Sequence, residues 1–292
     1  MNDLTLIILN YNSCADTVTC VDKLKEFGRD YRIIVTDNCS NDTSFQDLYD
    51  RYGVDDQIDV IKTDHNGGYG YGNNFGMKYA IDKYHVETVG ILNPDVLIPD
   101  SGVLDTMMDV LYSDPAYGIV GGVIIDNAGN KLLNRSGWNI QTPMQIIRDH
   151  LLIYDRFKTA SDMHELAPGV LQTDCVAGCF FLAKVSCMQD IGFFDEEMFM
   201  YQEESVIGIK CRSHGYKEVI ALDAHYYHNH HSENDAGMSL HDKVMATKAD
   251  YDSLVHICRT YYSPALIPFL WIVERLNRIY LAGCYLAGKI RR

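Results

Sequence analysis

Acidic and amide residues recur in this chain where apolar runs end, and their positions suggest chemistry. In GILNPDVLIPD, residues 90–100, the apolar run Gly90 to Leu92 stops at Asn93, Pro94 and Asp95. A carboxylate delivered to a strand end can hold Mg²⁺ or Mn²⁺, which prefer oxygen ligands. Such an ion neutralises a diphosphate and improves it as a leaving group. The same tripeptide also forms an ordinary turn. Two earlier runs end in a similar way: Leu4 to Leu9 precedes Asn10, Tyr11 and Asn12, and Arg32 to Thr36 precedes Asp37, Asn38, Ser40 and Asp42. Asp37 can accept hydrogen bonds from a ribose hydroxyl or a base N–H, whereas Asn38, Ser40 and Asp42 suit Asx turns and helix caps. HNGGYGYGNNFG, residues 65–76, puts glycines and asparagines ahead of a helix. Glycine permits φ > 0 and close backbone approach, and a helix N-terminus attracts anions. The segment has neither GK[ST] nor a clean GxGxxG, so as a phosphate signal it is weak. HYYHNHHS, residues 225–232, gathers four histidines that could reach a metal or lie on a solvated turn.

These residues need a scaffold that brings strand ends together. Strands are expected at Leu4–Leu9, Arg32–Thr36, Ile58–Lys62, Thr88–Leu92 and Ile119–Ile125, with helices at Cys14–Phe27, Thr43–Tyr52, Asn73–Tyr84 and Gly102–Tyr112 between them. The alternation predicts an α/β fold: a mostly parallel central sheet with helices on both faces, which binds ligands at the carboxyl ends of its strands. Beyond residue 126 the rhythm fades, and Asp126–Pro168 has no clear assignment. A strand at Asp174–Ala183, helices at Lys184–Ile191 and Glu203–His214 and a short strand at Glu218–Leu222 complete the domain, and a C-terminal helical appendage follows.

Composition narrows the function. A formal charge of -15 over 292 residues disfavours a general nucleic-acid-binding role. Nine cysteines without a CxxC pair suggest reduced thiols in a cytoplasmic protein rather than a zinc ribbon. Cys175 and Cys179 read as small buried residues. MNDLTLIILNYNS lacks a basic n-region and reads as a first strand rather than a signal peptide. Residues 263–292 carry five basic side chains and one acidic, so the tail is +4 and the remainder -19. Its two apolar stretches fall short of the roughly 20 residues of a spanning helix. Either the tail lies on an anionic membrane surface, at the inner face of the cell membrane, or it packs on the main domain or on a second subunit of a homodimer.

In order along the chain, LTLIILNYNS, IIVTDNCSND, NGGYGYGNNFG, ILNPDV, DCVAGCFFLAK and GFFDEEMFMYQEESVIGIKCRSHGY resemble the motifs of the family 2 glycosyltransferases with the GT-A fold, particularly their rhamnosyltransferase-like branch. The likeness runs over about residues 4–232, and its strength lies in the order of individually weak motifs. It implies a GT-A domain over 1–235, divided into a nucleotide-sugar-binding half (1–100) and an acceptor-binding half (101–235), with a helical extension over 236–292. Nucleotide binding would fall to Asn10, Asn12, Asp37, Asn38, Asn66, Gly67, Gly68, Asn73 and Asn93. Asp95 would hold Mg²⁺ or Mn²⁺ with His228, His230 being the next candidate, and Gly178 would flank the acceptor site. Glu204 is expected to be the general base, with Glu203 orienting it or contacting the acceptor, in a single displacement with inversion. The implied donor is dTDP-L-rhamnose, followed by UDP-hexoses; the implied acceptor is a cell-surface polysaccharide or a lipid-linked oligosaccharide.

Two departures bear on this reading. Glu203–Glu204 stands where the family has Glu-Asp, and Val206 replaces a later acidic residue. They leave room for a non-catalytic sugar-nucleotide-binding protein. A nucleotidyltransferase is disfavoured by Asn10–Tyr11–Asn12, where a basic glycine-rich loop would be required. Tyr69, Tyr71 and Trp138 either stack on base or sugar or serve packing.

Overall fold

A computed structural model describes residues 4–151, 162–228 and 240–287. The chain begins with the expected alternation: β1 (Leu4–Asn10), α1 (Cys14–Glu26), β2 (Arg32–Asp37), α2 (Ser44–Tyr52), β3 (Ile58–Lys62), α3 (Gly68–Tyr84), β4 (Thr88–Leu92), β5 (Val96–Leu97), α4 (Gly102–Ser113) and β6 (Tyr117–Ile125). Next come α5 (Leu133–Ser136), β7 (Gly137–Trp138), α6 (Pro143–Asp149), β8 (His164–Ala167), β9 (Val170–Thr173), β10 (Cys175–Val176), β11 (Phe180–Lys184), α7 (Val185–Asp190), α8 (Glu203–Ser213), β12 (Lys217–His228), α9 (Leu240–Thr260) and α10 (Ile267–Leu286).

The main sheet has the order β3-β2-β1-β4-β11-β6-β12-β9-β8. The block β3-β2-β1-β4 is parallel, β6 and β12 are parallel to each other, and β11 runs antiparallel between β4 and β6. Strands β1 and β4 are apolar almost throughout because both faces are covered. One core lies around Leu6, Ile8, Leu48 and Phe180, and the other around Ile7, Met77, Ile91 and Phe181. Consecutive β1 residues thus serve opposite faces, as the two-residue period of a strand requires.

Several expected boundaries move. The helix read as starting at Asn73 starts at Gly68, so the glycine-rich run forms its first turns instead of preceding them. Tertiary approach overrides helix propensity here: Gly68 has φ +89°, and a Cβ there would stand 2.1 Å from the Phe199 carbonyl oxygen. The strand read over Asp174–Ala183 is two strands, β10 and β11, separated by Ala177–Gly178–Cys179. The short strand at Glu218–Leu222 extends through His228, with a register shift between Ile220 and His225. His225 and His228 are therefore strand residues, and His230 lies outside the described residues. In the described part of the tail a 3-10 turn at Pro264–Leu266 leads into α10, which packs on α9 and α6.

Candidate active site

Strand ends meet the antiparallel strand β11 at one rim. Because β11 runs against β4, its N-terminal residue Phe180 lies opposite Leu92. The residues just before it, Gly178 and Cys179, are thereby set beside those that leave β4. The Asn93 N–H donates to the Cys179 carbonyl at 2.8 Å. Strand β12 passes the end of β6 and pairs His228 with Val96 of β5. This pairing brings the His228 imidazole within 3.4 Å of the Asp95 carboxylate.

Burial disfavours a charged imidazole at His228, but the proximity of the Asp95 carboxylate and of the Cys179 thiol outweighs it and pushes the pKa up to about 10. A positive charge is thus favoured where a cation would sit. The Asp95 carboxylate fits Mg²⁺ or Mn²⁺, and His228 would join it as a ligand only as the neutral imidazole, once an incoming cation has displaced its proton. Among the described residues no third His, Cys, Asp or Glu joins them, which leaves the other coordination positions to ligand oxygens and water.

The two glutamates open α8. The chain enters that helix through Tyr201 and Gln202, both left-handed at φ 71° and 69°, a conformation that costs energy for residues with a Cβ. Contacts from outside the turn hold it: Gln202 donates to Asp250 of α9 at 2.9 Å, and Ser205 donates to Gln202 at 3.0 Å. Glu204 accepts the Gly178 N–H at 3.2 Å. A Cβ at Gly178 would lie 2.6 Å from Glu204 Oε1, so only glycine lets the carboxylate sit there. The Tyr69 hydroxyl donates to the Gly178 carbonyl at 2.7 Å and fixes the same peptide from the other side. Glu218, a fully buried carboxyl, accepts the Val176 N–H at 2.7 Å and anchors the approach to Gly178.

Glu203 and Glu204 have different environments. Burial first, then the neighbouring Glu204 and Asp250, push Glu203 up to about 8. Its Oε1 is buried with no hydrogen-bond partner. Burial also raises Glu204, but the Gly178 N–H favours its ionised form. When adjacent carboxyls share one proton, Glu203 is the better holder and Glu204 the better base.

This difference has a measurable consequence for stability. A carboxyl whose folded pKa is raised contributes stability that is complete below the unfolded value, near 4.5, and is lost as pH rises through about 8. Glu203→Gln is therefore expected to equal the parent in stability near pH 4.5 and to exceed it by a few kcal/mol at pH 8, at about 1.4 kcal/mol per pKa unit. Urea unfolding across that range checks this; a constant difference would contradict it.

The rim opens into a cleft of about 1500 Å³ that reaches from Asn93, Gly178, Glu203, Glu204 and His228 to Asp250 of α9 and Glu274 and Asn277 of α10. Trp138 lines its wall. The other expected site residues divide into two sets. Asn10 and Asp37 are fully buried and joined side chain to side chain at 2.8 Å, with Thr17 and the Ser40 N–H completing them. Asn38 is closed off by Asn66 and the Gly68 carbonyl. The side chains of Asn10, Asp37 and Asn38 thus hold the rim loops together and are buried in this structure. Asn73 is also buried and donates to the Tyr69 carbonyl. Asn12, Asn66, Gly67 and Asn93 keep exposed surface, while Gly68 is buried under Phe199.

Tyr69 packs edge-on against Phe194 and also lines the cleft, whereas Tyr71 donates to Asp64 on the exterior. Cys175 and Cys179 are buried free thiols, as expected. Val206 is fully buried with Met198 and Ile257 of α9, and a carboxylate there would be stranded in an apolar contact. Sequence reading missed Gln202, Asp250, Tyr69 as a support for Gly178, and the cleft-facing Glu274 and Asn277. Glu274 had one visible signal, an acidic residue inside an apolar helix.

Solved structures of similar shape identify the fold. A mannosyltransferase from Pyrobaculum calidifontis, in complex with GDP-Man and Mn²⁺, matches with TM-score 0.58 and 14% identity over 98% of this chain and 75% of that one. GalNAc-T7, with UDP, GalNAc and Mn²⁺, matches with TM-score 0.61 and 13% identity over 98% of this chain and 58% of that one. The fold is GT-A. The sequence model of glycosyl transferase family 2 matches residues 5–170, and the chain belongs to that family. The low-salt glycan biosynthesis hexosyltransferase Agl10 of Haloferax volcanii is 26% identical over 207 residues, covering 70% of this chain and 60% of the relative. The N-acetylglucosaminyl-diphospho-decaprenol L-rhamnosyltransferase of Mycobacterium tuberculosis is 24% identical over 210 residues, covering 69% of this chain and 67% of the relative.

Proposed function

We propose that the chain is an inverting, metal-dependent glycosyltransferase that moves a hexose or deoxyhexose from a nucleoside diphosphate to a saccharide acceptor, with a lipid-linked acceptor favoured. The observation that carries this reading is the convergence on Gly178–Cys179. Glu204 is bound to the Gly178 N–H, Asn93 to the Cys179 carbonyl, and the Asp95–His228 pair lies beside the Cys179 thiol. A candidate base and a candidate cation site thus flank one cleft.

The nucleoside lies on the rim formed by Asn12, Asn66 and Gly67, with Asn10, Asp37, Asn38, Asn73 and Gly68 shaping the loops beneath. Asn93 meets the donor beside the diphosphate. Asp95 would hold Mg²⁺ or Mn²⁺, with His228 joining it as a neutral imidazole, and the ion would offset charge on the diphosphate. Glu204 takes the proton of the acceptor hydroxyl as that oxygen attacks the anomeric carbon. The bond from that carbon to the diphosphate oxygen breaks on the opposite face, its electron pair leaves with the phosphate, and the configuration inverts. Protonated Glu203 orients the acceptor from the side of Asp250. The name of the Mycobacterium relative supports a rhamnose donor and a lipid-linked acceptor; dTDP as the carrier comes from the motif resemblance, and UDP-hexoses come next.

A panel of dTDP- and UDP-sugars with Mn²⁺, read by release of nucleoside diphosphate and by product anomeric configuration, tests this reading. Turnover of no donor, or retention of configuration, would defeat it. Gly178→Ala is expected to leave the fold intact, because the clashing atom is the mobile end of Glu204, while lowering the rate about 10- to 100-fold through misplacement of the base. Circular dichroism beside initial rates checks both halves of that expectation.

A further inference from the structure

Helix α10 has two unlike faces. Leu270, Val273, Glu274 and Asn277 are buried and line the cleft. On the outside, Phe269, Ile272, Leu276, Ile279 and Leu286 are exposed, from 47% at Leu276 to 84% at Leu286. Their spacing of three, four, three and seven residues places them in one stripe along the helix. A stripe of large apolar side chains on one outer face marks an interaction surface.

Charge decides what covers it. Trp271 flanks the stripe and carries the Arg275 guanidinium at 5.0 Å from its ring centroid. Arg278 lies on the same flank, and both arginines pair with Glu274. Glu274 is the helix's single acidic residue, and it is buried, so the helix keeps a net charge of +1 and its outer face shows no acidic side chain. The sequence adds Lys289, Arg291 and Arg292 after the helix. A second copy of the chain docked on this stripe would bring like charges together without acidic partners. An anionic lipid surface supplies the missing charge and takes up the apolar stripe, with Trp and Arg at the headgroup level. The remainder of the chain, at -19, is repelled by the same surface and so is held facing away. The helix is not apolar enough to cross a membrane, and at 20 residues and about 1.5 Å per residue it has the length to lie along one.

We propose that the outer face of α10 docks the protein on an anionic bilayer surface, lying in the plane of the headgroups. The inner face of the same helix walls the cleft, so docking brings the cleft to the lipid surface. Only this last functional link rests on the proposed transfer to a lipid-linked acceptor.

The test is co-sedimentation of the full chain, without donor, acceptor or metal, with vesicles of phosphatidylcholine alone and of phosphatidylcholine mixed with phosphatidylglycerol. The net positive charge of the helix is expected to give about a fivefold or greater preference for the anionic vesicles, weakened by salt. Leu276→Ser with Ile279→Ser should lose binding about tenfold or more, with circular dichroism and donor hydrolysis unchanged. A parent protein that stays in the supernatant with both vesicles overturns the proposal, as does a double variant that pellets like the parent. A dimer that the double variant dissociates, without vesicle binding, assigns the stripe to a second copy and also overturns it. Because no substrate is present, failure here leaves the transferase reading standing, and an inactive enzyme leaves a positive binding result intact.

Discussion

Glu204→Gln is expected to reduce glycosyl transfer by about 10²- to 10⁴-fold, the range for loss of a general base, while donor binding stays near the parent value. The amide cannot take the acceptor proton, yet it preserves the shape of the side chain and its carbonyl still accepts the Gly178 N–H, which the carboxylate now receives at 3.2 Å. The loss should therefore appear in kcat, with little change in the thermal shift produced by nucleoside diphosphate. Glu203→Gln provides the contrast. Its carboxyl is already held protonated by burial and by the charge of its neighbour, so the amide resembles its working state and activity should fall only about tenfold or less. The assignment fails if the two variants exchange behaviour, with Glu204→Gln active and Glu203→Gln dead.

Asp95→Ala should act on both binding and turnover. Removing the carboxylate leaves His228 as the remaining candidate ligand and takes away its partner at 3.4 Å. Transfer is expected to drop about 100-fold or more, and the Mn²⁺-dependent stabilisation by nucleoside diphosphate should largely vanish. EDTA treatment of the parent should reproduce the effect, and added Mn²⁺ should rescue the parent but not the variant. If the variant kept metal-dependent donor binding, the cation would have to sit elsewhere and the site assignment would fall.

Both predictions rest on residues that sequence reading had singled out, Asp95 by its place after an apolar strand and Glu203–Glu204 by motif resemblance. The parallel strands β1 to β4 were legible because their apolar runs are short, continuous and bounded by polar turns. Hydrophobic periodicity reports burial, and burial of both sheet faces is a local property of each strand. Asp126–Pro168 was hard to read because its elements are short and two of them, β7 and α6, are held by distant segments, β10 and α10. Trp138 pairs with Cys175 across 37 positions, and no local pattern records such a partner. The start of α3 was misplaced for a related reason. Glycines lower helix propensity, but the close approach of Phe199 to Gly68 requires one, and that approach is a fact of packing.

By itself the sequence determined the α/β alternation, the apolar core and the kinds of residue that leave each strand, since side-chain chemistry and spacing are written locally. The tertiary structure decided that β11 enters the sheet antiparallel, which sets Gly178 beside Asn93, and that β12 runs on far enough to bring His228 to Asp95. It also decided which polar groups are spent inside the protein, as Asp37 and Asn10 are on each other, and that Glu204 but not the Oε1 of Glu203 finds a hydrogen-bond partner. Such outcomes depend on strand direction, burial and the field of neighbours far along the chain, and these quantities exist only once the chain has closed on itself.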